Sequence, residues 1–166
     1  MTQVSDGIRS MELSREFAVS RADMFRAWTD ADALMQWWGP KGMPLRLISA
    51  DVRAGGILHY AMESDGPLMW GRIAYREVVP SERLVFVNSF ADAEGNVALM
   101  PFMDGFPAEL LCTVTFTESA GRTAVAMHSV PLQATESEQA AFEALLPSMQ
   151  DGFGNALDQL TQYLAR

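Results

Sequence analysis

A single cysteine, Cys112, in 166 residues excludes an internal disulfide and points to a reducing compartment, the cytoplasm. Histidine is nearly as scarce: His59 and His128 are the only two. No Cys, Asp or Glu stands at metal-ligand spacing to either, so no metal is expected and both read as surface histidines. Basic residues are also few. Twelve Lys and Arg against twenty-one Asp and Glu leave a net charge of -9, which repels phosphate backbones and anionic lipid, so neither nucleic acid nor a membrane is expected as a partner. No apolar run approaches the roughly 20 residues of a membrane span, and Met1 to Ser10 lacks the apolar stretch of a signal peptide. Ser-His-Asp order, a Walker loop and a complete dinucleotide fingerprint are all missing, so no cofactor is expected.

What the chain does have is soft apolar bulk: eleven Met, nine Phe and four Trp, a load that suits an irregular core or an adaptable apolar site. Its length fits one domain over residues 1–166, with 1–10 as a loosely ordered tail, and no repeat, linker or low-complexity tract divides it. The longest periodic stretch is Ala134 to Leu164, where Phe142, Leu145, Leu146, Met149, Phe153, Leu157 and Leu160 recur at helical spacing. Thr135 and Glu138 form a capping box at its start. Pro147 predicts a kink, or a short helix running into a long one. Gly152 and Gly154 each weaken the helix by roughly 1 kcal/mol, which predicts that something approaches the backbone there.

Earlier in the chain, Met11 to Val19 reads as a strand. Ser20 and Asp23 read as a second capping box for a short helix, and Asp30 as the cap of another that runs through Trp37 and stops at Gly39-Pro40. Strands follow at Pro44 to Val52, Ile57 to Glu63, Met69 to Val79 and Arg83 to Phe90, with connections short enough for antiparallel hairpins. Residues 91–107, seventeen in all and rich in Leu, Met and Phe, are too long for an ordinary connection. Leu110 to Thr117 and Thr123 to Val130 make a last hairpin about Ala120-Gly121.

WWGP at Trp37 to Pro40, Gly55-Gly56, PSERLVF at Pro80 to Phe86, TVTFTESAGRTAVAM at Thr113 to Met127 and SMQDGFGNALDQLTQYLA at Ser148 to Ala165 resemble the Aha-type family. Its members are homologues of the C-terminal domain of the heat-shock ATPase activator, within the START-like (SRPBCC) superfamily. The resemblance covers about residues 11–165, in the family's order. It implies an α+β helix-grip fold: a curved antiparallel sheet of about seven strands wrapped around a long C-terminal helix, with two short helices after the first strand. Members of that superfamily carry lipids, bind hormones, cyclise polyketides or assist chaperones, so fold alone does not settle function. Two departures stand out. The family usually has Trp where Phe153 stands, and an aromatic pair is reduced here to Asn88 and Phe90, which implies a larger or differently shaped pocket.

Period-two alternation puts Leu58, Tyr60 and Met62 on one face and Ile57, His59, Ala61 and Glu63 on the other. Leu84, Phe86, Asn88 and Phe90 likewise share a face. With Trp37, Phe102, Phe106, Met149 and Phe153, the inward residues would form the aromatic and thioether wall of a site for a flat apolar molecule. Taken singly, each is better explained by core packing; for the set as a whole, the fold resemblance favours a real cavity. Tyr60, Trp70 and Arg72 could hold a ligand's oxygens. Asp51, Glu63, Asp65 and Glu77 are candidates for a general base in an apolar pocket.

The leading expectation is a protein that binds a small hydrophobic or aromatic ligand between sheet and C-terminal helix, with no reaction assigned. A polyketide cyclase or aromatase, polarising a carbonyl through Tyr60, Arg72 or an acidic neighbour, is the first alternative. A chaperone-binding module is the second; 166 residues leave no room for the extra N-terminal domain of eukaryotic activators. The oligomeric state is not legible.

Overall fold

Three side-chain caps divide the chain into its elements. Ser20 accepts from the Asp23 backbone N–H at 3.2 Å and starts α1 (Arg21–Thr29) just after β1 (Met11–Phe17). Only this half of the expected box forms, because the Asp23 carboxylate accepts from Arg26 instead. Asp30 accepts from the N–H groups of Asp32 and Ala33 and starts α2 (Ala31–Leu34). This helix stops short of the expected Trp37, since the N–H groups of Trp37 and Trp38 both turn back onto the Leu34 carbonyl, at 3.2 and 2.9 Å. Thr135 and Glu138 make both halves of their box and start α3 (Glu136–Ala144). A break at Leu145 then leads into α4 (Leu146–Leu164), whose Pro147 sits in the first turn, where a missing N–H costs nothing. The computed structural model describes residues 9–101 and 104–165. All but Arg9 and Ser10 of the expected N-terminal tail, and Phe102, lie outside them.

The strands are β2 (Leu45–Ser49), β3 (Ile57–Met62), β4 (Met69–Val79), β5 (Arg83–Ala91), β6 (Val97–Ala98), β7 (Leu110–Ser119) and β8 (Arg122–Pro131). They form one antiparallel sheet in the order β1-β8-β7-β5-β4-β3-β2, with β6 added beside β5. The two-residue β6 was not expected. Asp92 makes it, accepting from the N–H groups of Glu94 and Asn96 at 3.0 and 2.9 Å and folding 92–96 into a tight turn. The β7–β8 hairpin closes through Ala120 and Gly121, whose φ values of 53° and 78° suit the two-residue turn that matches strand twist. A bulge between Tyr75 and Glu77 bends β4 and helps the sheet curl. Before β3, Gly56 lets the chain double back: a Cβ there would stand 2.0 Å from the Asp51 carbonyl oxygen.

The sheet curls around α4, whose Leu146, Ala156, Leu157 and Leu160 are buried. This is the helix-grip fold. At the β1 side, Arg15 donates to the Gly154 carbonyl and pairs with Asp158, and Gln150 donates to the Glu12 carbonyl. On the other side, Gln159 donates to the carbonyls of Trp37 and Gly39 at 2.8 and 2.9 Å. One glutamine thus ties the helix to the turn after α2. Beneath that turn Trp28 meets Trp37 edge-on at 4.7 Å and Trp38 at 5.7 Å, and Trp38 meets Phe86 at 6.1 Å and Phe153 at 5.8 Å.

Candidate ligand cavity

Alternation along three neighbouring strands builds the cavity wall. On β3 it turns Leu58, Tyr60 and Met62 inward; on β4 the matching positions are Gly71, Ile73 and Tyr75; on β5 they are Phe86, Asn88 and Phe90. Gly71 is the residue opposite Tyr60. The phenol lies across its backbone, and a Cβ at Gly71 would stand 2.4 Å from Tyr60 Cζ. The ring takes the place of the missing side chain, and open space remains beyond it.

That space is a cavity of about 250 Å³, partly open to solvent, between β3, β4 and β5, the turn after α2, residues 106–110 and α4. Tyr60, Met62, Phe90, Phe106, Met149 and Phe153 border it, as the sequence suggests. Trp38, Gly39 and Pro40 form one rim, and Asn88, Pro107, Ala108, Leu110, Gly152 and Ala156 complete much of the rest.

Four sequence candidates stand elsewhere. Trp37 is buried behind Trp38 against Trp28, with its Nε1–H donating to the Ala27 carbonyl at 3.0 Å. Its neighbour in sequence takes the place expected of it. Leu58 does face inward, but it is fully buried in the core opposite Ile73, beyond the cavity floor. Trp70 and Arg72 flank Gly71, so alternation turns both to the outer face of the sheet, where Arg72 donates to the Gly95 carbonyl at 2.9 Å. Arg72 therefore does not polarise a ligand in the cavity. Phe102 lies outside the described residues.

His59 is also not the surface residue expected. The β5–β6 turn covers it, leaving it 5% exposed with Nε2 3.0 Å from the Asp92 carbonyl oxygen. His128 is exposed. Asp51, Glu63 and Glu77 pair with Arg53, Arg46 and Arg83 at the surface, and Asp65 is exposed, so none is a base in the cavity. The close approach expected at Gly152 is absent, since a Cβ there would meet nothing within 4 Å; the residue borders open space. Beside Gly154 the approaching group is Arg15.

Among the described residues on the cavity wall, Tyr60 is the only side chain that titrates. Burial pushes its phenol up to about 12, partly opposed by the hydrogen bond from Trp38. Tyr60 is therefore neutral at any physiological pH, and its O–H is available as a donor. Its oxygen accepts from Trp38 Nε1 at 3.2 Å. No group of three or more His, Cys, Asp or Glu able to hold a metal is found among the described residues, and there no helix is long and apolar enough to cross a membrane.

Trp38, Asn88, Gly71, Ser89 and the 107–110 segment are among the wall residues absent from the sequence candidates. Trp38 lies in a turn, where no period tells one indole's direction from the next. Asn88 had a signal, sharing a face with Phe86 and Phe90, but reads there only as a lost aromatic.

The solved structures share this architecture. A protein of Arthrobacter aurescens is 25% identical, with a TM-score of 0.79 over 94% of this chain and 86% of its own. One from Mycobacterium smegmatis is 24% identical, with a TM-score of 0.73 over 94% and 90%. The AHSA1 protein of Silicibacter pomeroyi is 20% identical, with a TM-score of 0.71 over 95% and 98%. No curated protein matches the sequence. The family profile described as Activator of Hsp90 ATPase homolog 1-like protein matches residues 18–165. Matched over nearly its whole length, the chain belongs to the Activator of Hsp90 ATPase homolog 1-like family.

Proposed function

We propose that the protein binds a small, largely apolar molecule in the cavity between sheet and α4. The observation that carries this reading is the cavity's chemistry: about 250 Å³ bounded by Trp38, Tyr60, Phe90, Phe106, Phe153 and two Met, with no charged side chain among the described wall residues. Concave apolar spaces with a few polar groups are the usual form of a small-molecule site. A dry cavity of roughly 150 Å³ accommodates benzene, so this one suits a molecule of about two fused rings. Binding without catalysis is preferred to cyclisation because the described wall offers one hydrogen-bonding phenol and no base. The unpaired, buried Cys112 supports residence in the cytoplasm.

Native mass spectrometry of protein purified from its own host tests the proposal. A bound molecule of a few hundred daltons, lost when the protein unfolds, is the expected result. Protein that is unliganded from its host and binds none of a panel of aromatic and acyl compounds would overturn it.

A further inference from the structure

Among the described residues on the cavity wall, Tyr60 and Asn88 turn polar side chains with unspent hydrogen-bonding capacity inward. Ser89 also borders the cavity, with a buried hydroxyl that has no partner there, but it pairs with the outward-facing Arg72. Tyr60 is 6% exposed, and its oxygen already accepts from Trp38, which leaves the phenol's own proton to be donated. No acceptor for it lies among the described residues. Asn88 faces inward from β5, opposite Ile73 on β4 and Leu110 on β7, and is half-buried. Its carboxamide, with two donors and an acceptor, likewise has no hydrogen-bond partner among the described residues. Both belong to the same patch of wall, since the Tyr60 ring crosses Gly71, and Gly71 pairs with Phe90, two residues from Asn88.

Buried polar groups are normally satisfied, and two left open toward a cavity are completed by what enters it. Charge tells which kind of molecule that is. An anion would find no Lys, Arg or His on the described wall of a protein of net charge -9, and a cation no carboxylate. Burying either without a counter-charge is strongly unfavourable.

Resting on the binding function proposed above, we infer that the cavity selects a neutral aromatic molecule bearing an oxygen acceptor, such as a ketone carbonyl, held by the Tyr60 O–H and the Asn88 carboxamide. The rings lie against Trp38, Phe153 and Met149. The oxygen points at the sheet.

Isothermal titration of the full chain with naphthalene, 2-acetylnaphthalene and 2-naphthoate at pH 8 tests this. The ketone should bind about three- to tenfold more tightly than naphthalene, the factor one or two net hydrogen bonds contribute, and at least tenfold more tightly than the carboxylate. Tyr60→Phe and Asn88→Leu should each bring the ratio of ketone to naphthalene affinity most of the way to one. Should Tyr60→Phe not fold, Asn88→Leu and the wild-type ratio decide. Equal binding of naphthalene and ketone would overturn the polar pole and leave the binding function standing. Tightest binding of the carboxylate would overturn the neutral class, and binding of none would overturn both proposals together.

Discussion

Trp38 donates its indole N–H to the phenol oxygen of Tyr60 across 3.2 Å, joining the turn after α2 to the middle of β3 at the edge of the cavity. The bond ties down an indole that Phe86 and Phe153 also contact, and the phenol oxygen accepts in it. Tyr60→Phe leaves the buried Trp38 N–H without its acceptor. Leaving a buried donor unpaired costs about 1–3 kcal/mol, and chemical denaturation should show a loss in that range. An unchanged midpoint would mean that water replaces the phenol.

Two glycines should respond unequally to a methyl group. At Gly56 the obstacle is the Asp51 backbone oxygen, at 2.0 Å; at Gly71 it is the ring of Tyr60, at 2.4 Å. A ring can swing into the cavity and a backbone carbonyl cannot. Gly71→Ala should therefore lose about 1–3 kcal/mol, typical of overpacking, and shrink the cavity, while Gly56→Ala should lose more. Denaturation curves with the order reversed would contradict this.

Gly152 behaves in the opposite way. Its Cβ position is open and it sits within α4, so Gly152→Ala should raise stability by about 1 kcal/mol through helix propensity alone. A clear loss in thermal or chemical unfolding would show that something occupies the space beside it.

Acid should loosen the hairpin that covers His59. The Asp92 carboxylate is held below its ordinary value of 3.8, chiefly by the Asn96 backbone N–H, with further hydrogen bonds from the Asn96 side chain and the Glu94 and Gly95 backbone. A depressed carboxylate contributes stability above its unfolded pKa that is lost as pH falls through the folded one. The Asn96 amide should exchange faster as pH drops below about 3.8, after correction for intrinsic rates, and Asp92→Ala should show the same fast exchange at neutral pH. Protection that does not change with acid or mutation would refute the cap.

Much of the fold is legible because its rules are local. The Thr135 box, the helix break just before Pro147 and the inward sets on β3 and β5 all follow from local sequence. The site is less so. Trp70 and Arg72 could have been assigned outward from parity alone, since a residue that lets Tyr60 lie flat must be a glycine on the same face, and Gly71 stands between them. The choice of Trp38 over Trp37 could not, because it depends on the Leu34 carbonyl receiving both N–H groups and on Gln159 holding the turn. The burial of His59 depends on a two-residue strand too short to carry any period.

Methionine methyl resonances test the central claim most directly. Met62 and Met149 border the cavity, while Met11 and Met24 are fully buried elsewhere in the core. Titration with 2-acetylnaphthalene should shift Met62 and Met149 saturably, nearly as well in high salt as in low because burial of apolar area drives it, and leave Met11 and Met24 in place. Shifts confined to Met11 and Met24, or none at any concentration, would contradict ligand binding in this cavity.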